Sequence, residues 1–332
     1  MDAMNSQGPV LNCIVLNWRT AEMSLEAAGA ALQEMDGIAG GVTIVDNDSG
    51  DGSFERMLAE AGARGWLQSG RVAVVQAGWN GGFGAGNNVG IRAGAPGGQR
   101  ADLVYLLNSD AIPQPGSIRA LVAYLARHPK AGIACSRIRG VDGAPHATAF
   151  RFPTAASEFE VTSRSGPVSR LFRRRIVAMP QPQVSAQVEW SAGASMMIRR
   201  ELLDQVGLFD EGFFLYFEET DLCRRAADHG WQTHYVVESE VAHIGSASTG
   251  MKTWKRAPDY WYDSRRRYFE KHHGRAGALW ATVAHLGGSV LFRLRCLVQR
   301  RAWDNPPGHL SYLLRHALRR QPRPIHIEKG KP

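Results

Sequence analysis

Short apolar runs alternate with longer amphipathic stretches along the chain. Residues 10–16, 42–45, 72–75, 103–107 and 133–136 are strand-sized, rich in Val, Ile and Leu, and mostly bounded by Gly, Asp or Asn. Between them the spacing predicts helices over 21–35, 54–63, 86–95 and 117–127. Nearly continuous apolar strands separated by helices predict an α/β fold with a mainly parallel sheet covered on both faces. Ligands of such sheets bind beyond the carboxyl ends of the strands, so the residues just after each strand are the first place to look for chemistry. Residues 151–187, rich in Ser, Pro and Arg with Arg173, Arg174 and Arg175 in a row, break the pattern and read as a mobile surface excursion. Regular structure is expected to resume over 188–198, with a helix over 218–229 and a strand over 233–237.

The length, 332 residues, allows two domains, and 44% apolar with 21% charged residues is an ordinary globular mixture. Collagenous, low-complexity and disordered classes are excluded. Charge adds a division. Residues 251–332 hold 18 Lys/Arg against 5 Asp/Glu, whereas the preceding 250 residues carry 21 against 26. A slightly acidic body (1–250) is therefore followed by a basic, aromatic region (251–332) with Trp254, Tyr260, Trp261 and Arg265–Arg267, whose last dozen residues read as frayed. That asymmetry speaks of an anionic partner. Cys13, Cys135, Cys223 and Cys296 are isolated and match neither a disulfide framework nor a zinc site, which suits a reducing cytoplasm. No secretory leader is expected at the start. The segment 279–298 is interrupted by His285, Arg293 and Arg295 and reads as an amphipathic rather than a spanning helix.

Four polar clusters fall after expected strands. Asp46-Asn47-Asp48-Ser49-Gly50-Asp51-Gly52-Ser53 is either a polar turn before a helix or a set of carboxylates able to accept from a nucleobase or ribose. In Gly78-Trp79-Asn80-Gly81-Gly82-Phe83-Gly84-Ala85-Gly86-Asn87-Asn88 the glycines permit close backbone approach ahead of a helix, but the spacing is neither a dinucleotide fingerprint nor a P-loop. Asn108-Ser109-Asp110 offers an oxygen ligand for Mg²⁺ or Mn²⁺, or merely an Asp near a helix start. Glu218-Glu219-Thr220-Asp221 puts three carboxylates at a helix start, where they compensate the dipole or, behind the apolar run 213–217, supply a general base. His243 follows the next strand and by itself is ambiguous.

In this order, together with Leu16-Asn17-Trp18, Gly193-Ala194 and Phe209-Asp210-Glu211, the motifs make residues 11–246 similar to the family 2 glycosyltransferases, especially their bacterial rhamnosyltransferase-like branch. The resemblance implies a GT-A fold, a Rossmann-like sheet flanked by helices, with the basic helical C-terminal extension outside it. It implies an inverting, metal-dependent hexosyltransferase using Mg²⁺ or Mn²⁺ and a dTDP- or UDP-sugar, L-rhamnose being the branch's sugar. The acceptor would be a glycan or lipid-linked glycan in cell-surface polysaccharide synthesis. Carried over residue by residue, Asp46 and Asp51 fall at the nucleobase loop. Asn17, Asn80, Gly82 and Asn87 fall in donor-binding motifs. Asn108 and Asp110 occupy the outer positions of an Asp-x-Asp motif, with Asp110 and His243 toward the metal. Trp190 and Gly193 match the sugar and acceptor pocket, and Glu219 the catalytic base. Two departures stand out: Asn108 replaces the first acid, and Glu219 stands where Asp is commoner, leaving Asp221 as a fallback base. A catalytically impaired sugar-nucleotide-binding protein is the alternative these departures raise. A nicotinamide enzyme lacks its fingerprint, and no nucleic acid is expected as partner. The basic tail suggests peripheral attachment to an anionic membrane surface, at the cytoplasmic face.

Overall fold

The computed structural model describes residues 8–245, 257–302 and 308–319. In chain order the elements are β1 (Leu11–Asn17), α1 (Ala21–Glu34), β2 (Gly40–Asp46), α2 (Ser53–Ala63), β3 (Val72–Gln76), α3 (Gly82–Ala93), β4 (Leu103–Asn108), β5 (Ala111–Pro113), α4 (Ser117–Arg127), β6 (Ala131–Arg139) and β7 (Ala149–Phe150). There follow α5 (Ala155–Ser163), α6 (Gly166–Leu171), β8 (Ala186–Val188), β9 (Trp190–Ser191), β10 (Ser195–Arg199), α7 (Arg200–Val206), α8 (Glu218–Asp228), β11 (Gln232–His243), α9 (Asp259–Val298) and α10 (His309–Ala317). They form two units. The first comprises Met1–Ala149, Pro180–Glu211 and Glu218–Met251; the second comprises Phe150–Met179, Gly212–Phe217 and Lys252–Pro332.

In the first unit, one sheet runs β3-β2-β1-β4-β10-β6-β11-β5, with β8 added to β11. Strands β3, β2, β1 and β4 are mutually parallel, as their apolar runs predict. The sheet turns mixed at β10, which lies antiparallel between β4 and β6. Leu11, Cys13 and Val15 of β1 and Val42 and Ile44 of β2 share a core with Leu25, Ala28 and Ala31 of α1, whose alanine face lets the helix sit close. The order 3-2-1 followed by 4 makes a switch point at the carboxyl ends of β1 and β4, the place where ligands of such sheets bind.

Helix α3 begins at Gly82, four residues earlier than expected. A methyl group at Gly86 would lie 2.5 Å from the Leu16 side chain, and one at Gly90 would lie 2.8 Å from Ile14. These glycines are therefore a helical seam that seats α3 on β1, with less of the glycine loop ahead of the helix that the sequence suggested. Strand β11 also exceeds its expected span. A register shift between Val236 and Glu240 marks a bulge, after which the strand pairs with β5 as Val241↔Pro113, Ala242↔Ile112 and His243↔Ala111.

In the second unit, the stretch expected as an excursion contains α5 and α6. Thr154 and Ser157 form a reciprocal cap at the start of α5: the Thr154 hydroxyl accepts from Ser157 N at 3.2 Å, and the Ser157 hydroxyl accepts from Thr154 N at 2.8 Å. Glu158 of α5 accepts from Arg265 (2.9 Å) and His285 (2.7 Å) of α9. Phe213, Tyr268, Phe269 and Ala281 form a buried cluster. Gly274 (φ 68°, ψ 173°) kinks α9, so 259–273 and 275–298 are two helical arms. By length and composition alone α9 is apolar enough to cross a membrane, but 39% of its most apolar 18-residue window is buried, and its second arm has one buried and one exposed face, as an amphipathic helix does. The expectations for Trp254 and for the last dozen residues lie outside the described residues.

Candidate active site

The switch point gathers the polar strand ends. Asn17 ends β1, Asp46 ends β2 and Asn108 ends β4, because each strand stops where its apolar run stops. Asn17 and Asp46 are buried, Asp46 at 1% exposure, and they bond to each other: Asn17 Nδ2 donates to Asp46 Oδ1 at 2.8 Å. Ser49 completes the knot by donating its hydroxyl to Asp46 Oδ1 (2.6 Å) and its N–H to Asp46 Oδ2 (3.1 Å). Asn17 Oδ1 accepts from the Ser24 hydroxyl at 2.8 Å and from Thr20 N at 3.2 Å. These side chains therefore brace the 46–51 loop from beneath. Asp48, at φ 58°, and Asp51 are the exposed acids of that loop. Although what burial Asp51 has raises its carboxyl, bonds from Ser53 and the Arg19 charge outweigh it and hold the group below its usual range.

Asn47 ties the second loop to the first, donating to Asn80 Oδ1 at 3.0 Å and to Gly82 O at 3.2 Å; Gly82 N donates to the same Asn80 oxygen. Asn87 is buried within α3 and donates to Phe83 O at 2.9 Å. The Oδ1 atoms of Asn47 and Asn87 are sealed without a hydrogen-bond partner. Asn88, which sequence reasoning gave no separate role, holds α3 to the 209–211 segment through Phe209 O and Glu211, both at 2.9 Å.

The β5–β11 ladder brings Asp110 and His243 together from 133 residues apart, with His243 Nε2 3.0 Å from Asp110 Oδ1. Asn108 Nδ2 lies 3.3 Å from the same ring nitrogen, and Gly245 N donates to Asp110 Oδ2 at 3.1 Å. The bulge in β11 carries His243 to this position. His146, absent from the sequence-based set, stands edge-on to His243 at 6.3 Å; a histidine in a loop after β6 gave no signal of it. Asp110 and His243 offer an oxygen and a nitrogen 3.0 Å apart, a donor set that would suit Mg²⁺ or Mn²⁺. Among the described residues, groups of three or more His, Cys, Asp or Glu suited to a metal are absent. A cation here would thus take its remaining ligands from diphosphate and water.

Glu218 and Glu219 open α8, entered through Tyr216 (φ 69°) and Phe217 (φ 70°), two consecutive left-handed residues that cost roughly 1–3 kcal/mol each. The Oε2 atoms of both glutamates are sealed and lack a hydrogen-bond partner. Burial pushes Glu218 well above the ordinary glutamate range, and the neighbouring Glu219 charge adds to it. Burial also raises Glu219, but its own N–H and that of Gly193 favour the carboxylate and limit the rise. Burial thus disfavours charge on both acids, and only Glu219 has the Gly193 N–H to favour its carboxylate. Gly193 is itself close-packed, since a methyl group there would lie 3.1 Å from the Phe83 ring. Trp190 is partly exposed on β9. The structure does not bring Asp221 to this group. Asp221 is fully buried and pairs with Arg225 at 2.8 Å, and Arg225 in turn bonds the carbonyls of Val206 and Leu208.

A mainly parallel α/β sheet thus carries acids at its switch point, a carboxylate–histidine pair and a buried acid at a helix start. Residues 33–260 match the model of the glycosyltransferase like family 2, and the chain belongs to that family. It is rhamnosyltransferase-like. Over 272 residues it is 29% identical to the N-acetylglucosaminyl-diphospho-decaprenol L-rhamnosyltransferase of Mycobacterium tuberculosis, covering 78% of this chain and 83% of that protein. Two solved GT-A glycosyltransferases share its fold. One is GalNAc-T7 with UDP, GalNAc and Mn²⁺ (TM-score 0.57, 13% identity, 91% of this chain and 59% of the other). The second is the mannosyltransferase PcManGT from Pyrobaculum calidifontis with GDP-Man and Mn²⁺ (TM-score 0.51, 15% identity, 94% and 87%).

Proposed function

We propose that this protein transfers a hexose, L-rhamnose by its relatedness, from a dTDP- or UDP-linked donor to a lipid-linked glycan acceptor, with inversion at the anomeric carbon. The single observation that carries the reading is the meeting of Asp110 and His243 at the switch point, 3.0 Å apart, beyond the strand ends where a donor diphosphate binds in this architecture. The 46–51 loop takes the nucleoside, with Asp46 and Asn17 as its braces and Asp51 at its rim. Asn80 and Gly82 continue that surface, with Asn87 supporting it from within α3. Asn108 sits beside the metal pair without adding charge. Asp110 and His243 would hold Mg²⁺ or Mn²⁺, which when bound stabilises charge on the departing diphosphate. Trp190 and Gly193 border the sugar and acceptor. Glu219 accepts the acceptor's hydroxyl proton as the new glycosidic bond forms on the face opposite the diphosphate. Asp221 supports α8 through Arg225. A lipid-linked acceptor sets the reaction at a membrane surface, and the basic C-terminal unit is the part of the chain suited to meet it.

The test is transfer from a panel of dTDP- and UDP-sugars to a short-chain prenyl-diphosphate glycan, with Mg²⁺, Mn²⁺ or EDTA. One donor is expected to turn over with metal and stop with EDTA. Glu219→Gln is expected to lower turnover by about 10²–10⁴-fold while donor binding persists. Donor binding without turnover by the unaltered protein would overturn the enzymatic reading.

A further inference from the structure

The C-terminal unit contains a cavity of about 200 Å³ that the proposed transfer leaves unused. It lies at the Gly274 kink, between the two arms of α9 and α10, and Arg265, Arg266 and Arg275 line it together with Phe269, Leu279 and Leu313. The charges facing it are not equivalent. Arg265 is neutralised by Glu158, Arg266 by Glu270 at 2.7 Å, and the His316 ring is engaged by Asp263 at 2.7 Å. Arg275 is exposed and, among the described residues, has neither hydrogen bond nor ion pair. The cavity thus offers one uncompensated guanidinium, Arg275, beside the apolar Phe269, Leu279 and Leu313 and beside the paired Arg266 and Glu270, whose carboxylate also lines it.

Leu279 links that cavity to a second feature. It is 60% exposed, and Val283, Val290, Leu294 and Leu297 repeat its exposure at helical spacing along the second arm of α9. The opposite face, with Ala281, His285, Phe292 and Cys296, is buried. An outward apolar stripe on a helix whose other face is already packed needs its own cover. Residues 271–303 hold Lys271, Arg275, Arg293, Arg295, Arg300 and Arg301 and not one Asp or Glu. A stripe with only cations along it matches an anionic amphiphile.

We propose that the C-terminal unit binds one phosphate-bearing lipid, its phosphate entering the cavity beside Arg275 and Arg266 and its hydrocarbon chain lying over Leu279 along the stripe. Guanidinium forks suit phosphate oxygens, Arg275 has its donors free, and the stripe shields a chain from water. The lipid is a bilayer phospholipid, whose anionic surface the cations along the stripe complement, so the inference does not rest on the transferase reading above; a polyprenyl phosphate carrier is the alternative outcome of the test.

Calorimetry with the full chain and dodecyl phosphate below its micelle concentration tests this, with inorganic phosphate and dodecyl maltoside as controls. Dodecyl phosphate is expected to bind at one saturable site. Arg275→Glu should weaken it about tenfold or more, because a local charge is reversed, and Leu279→Gln should weaken it several-fold. Both positions are exposed, and thermal melts check that both variants remain folded. Equal binding of dodecyl maltoside, equally tight inorganic phosphate, or indifference to both substitutions would overturn the proposal. Neutral vesicles doped with polyprenyl phosphate or with phosphatidylglycerol separate the sources. Preference for phosphatidylglycerol supports the proposal; preference for polyprenyl phosphate, or binding to neither, refutes it. Sugar-donor turnover is scored in parallel. If it is absent while Arg275-dependent lipid binding persists, the transferase reading fails and this one stands; the reverse result removes only the lipid site.

Discussion

Glu158→Gln tests the central polar contact of the C-terminal unit. One oxygen of Glu158 accepts from Arg265 Nη2 at 2.9 Å, Arg265 Nε at 3.2 Å and His285 Nδ1 at 2.7 Å, and the Arg265 side chain is only 3% exposed. Burial alone would raise this carboxyl, but the Arg265 charge and the His285 bond and charge outweigh it and hold it at about 2. Against 4.5 for a free glutamate that displacement corresponds to about 3 kcal/mol. Removing one partner of a buried pair costs roughly 3–5 kcal/mol, so two independent routes agree. Because the folded value is depressed, the stabilisation is complete above about 4.5 and disappears as pH falls through about 2. Urea unfolding of wild type and Glu158→Gln at pH 7, 5, 4 and 3 should therefore show a gap of about 3 kcal/mol that is constant at the two higher values and narrows at the two lower. A gap below about 0.5 kcal/mol at pH 7, within the usual range of surface substitutions, would refute the reasoning. So would a gap that stays constant down to pH 3.

Asp221→Asn should lower stability by about 3 kcal/mol, since it leaves Arg225 without its charge partner, while turnover per folded molecule stays unchanged; a selective loss of kcat with normal unfolding would restore Asp221 as a base. The acid limb of the pH–rate profile should lie above the ordinary glutamate range, because burial raises Glu219, with activity lost as pH falls through that value. In Glu218→Gln that limb should hardly move, as burial already disfavours charge on the neighbour removed; a clear shift toward lower pH would mean that Glu218 carries charge during turnover.

The parallel strands and the helices between them were legible because apolar runs of strand length cannot be buried in many other ways. The residues after the strands were legible for the same reason, since a run's end is a strand's end. What spacing could not separate was brace from ligand. Asn17, Asp46 and Asn87 read as donor contacts, and only the fold shows that they are also buried and bonded to Ser24, Ser49 and Phe83 respectively. Asp110 and His243 required the bulge in β11, a local event that leaves little trace in hydrophobic pattern. The 151–187 stretch misled because its helix starts with a Thr154–Ser157 reciprocal cap in place of the commoner Glu or Gln, and because its charged Glu158 is satisfied only by residues more than 100 positions later. The glycines of α3 misled differently: glycine permits both a ligand-binding loop and a close helix seam, and only neighbours such as Leu16 and Ile14 decide.

The two units are threaded through one another along the chain, each assembled from three separate stretches, and this has a consequence for biosynthesis. Glu158 leaves the ribosome 107 residues before Arg265 and 127 before His285. At about 5–20 residues per second, it waits on the order of 5–20 s for its first counter-ion. During that interval α5 has an acid with no cation to receive it, so the C-terminal unit closes last, after nearly all of the sheet is available to fold. Shortening the chain from its C-terminus does not simply remove an appendage: it leaves 150–179 and 212–217 behind as orphans in the middle of the remaining polypeptide.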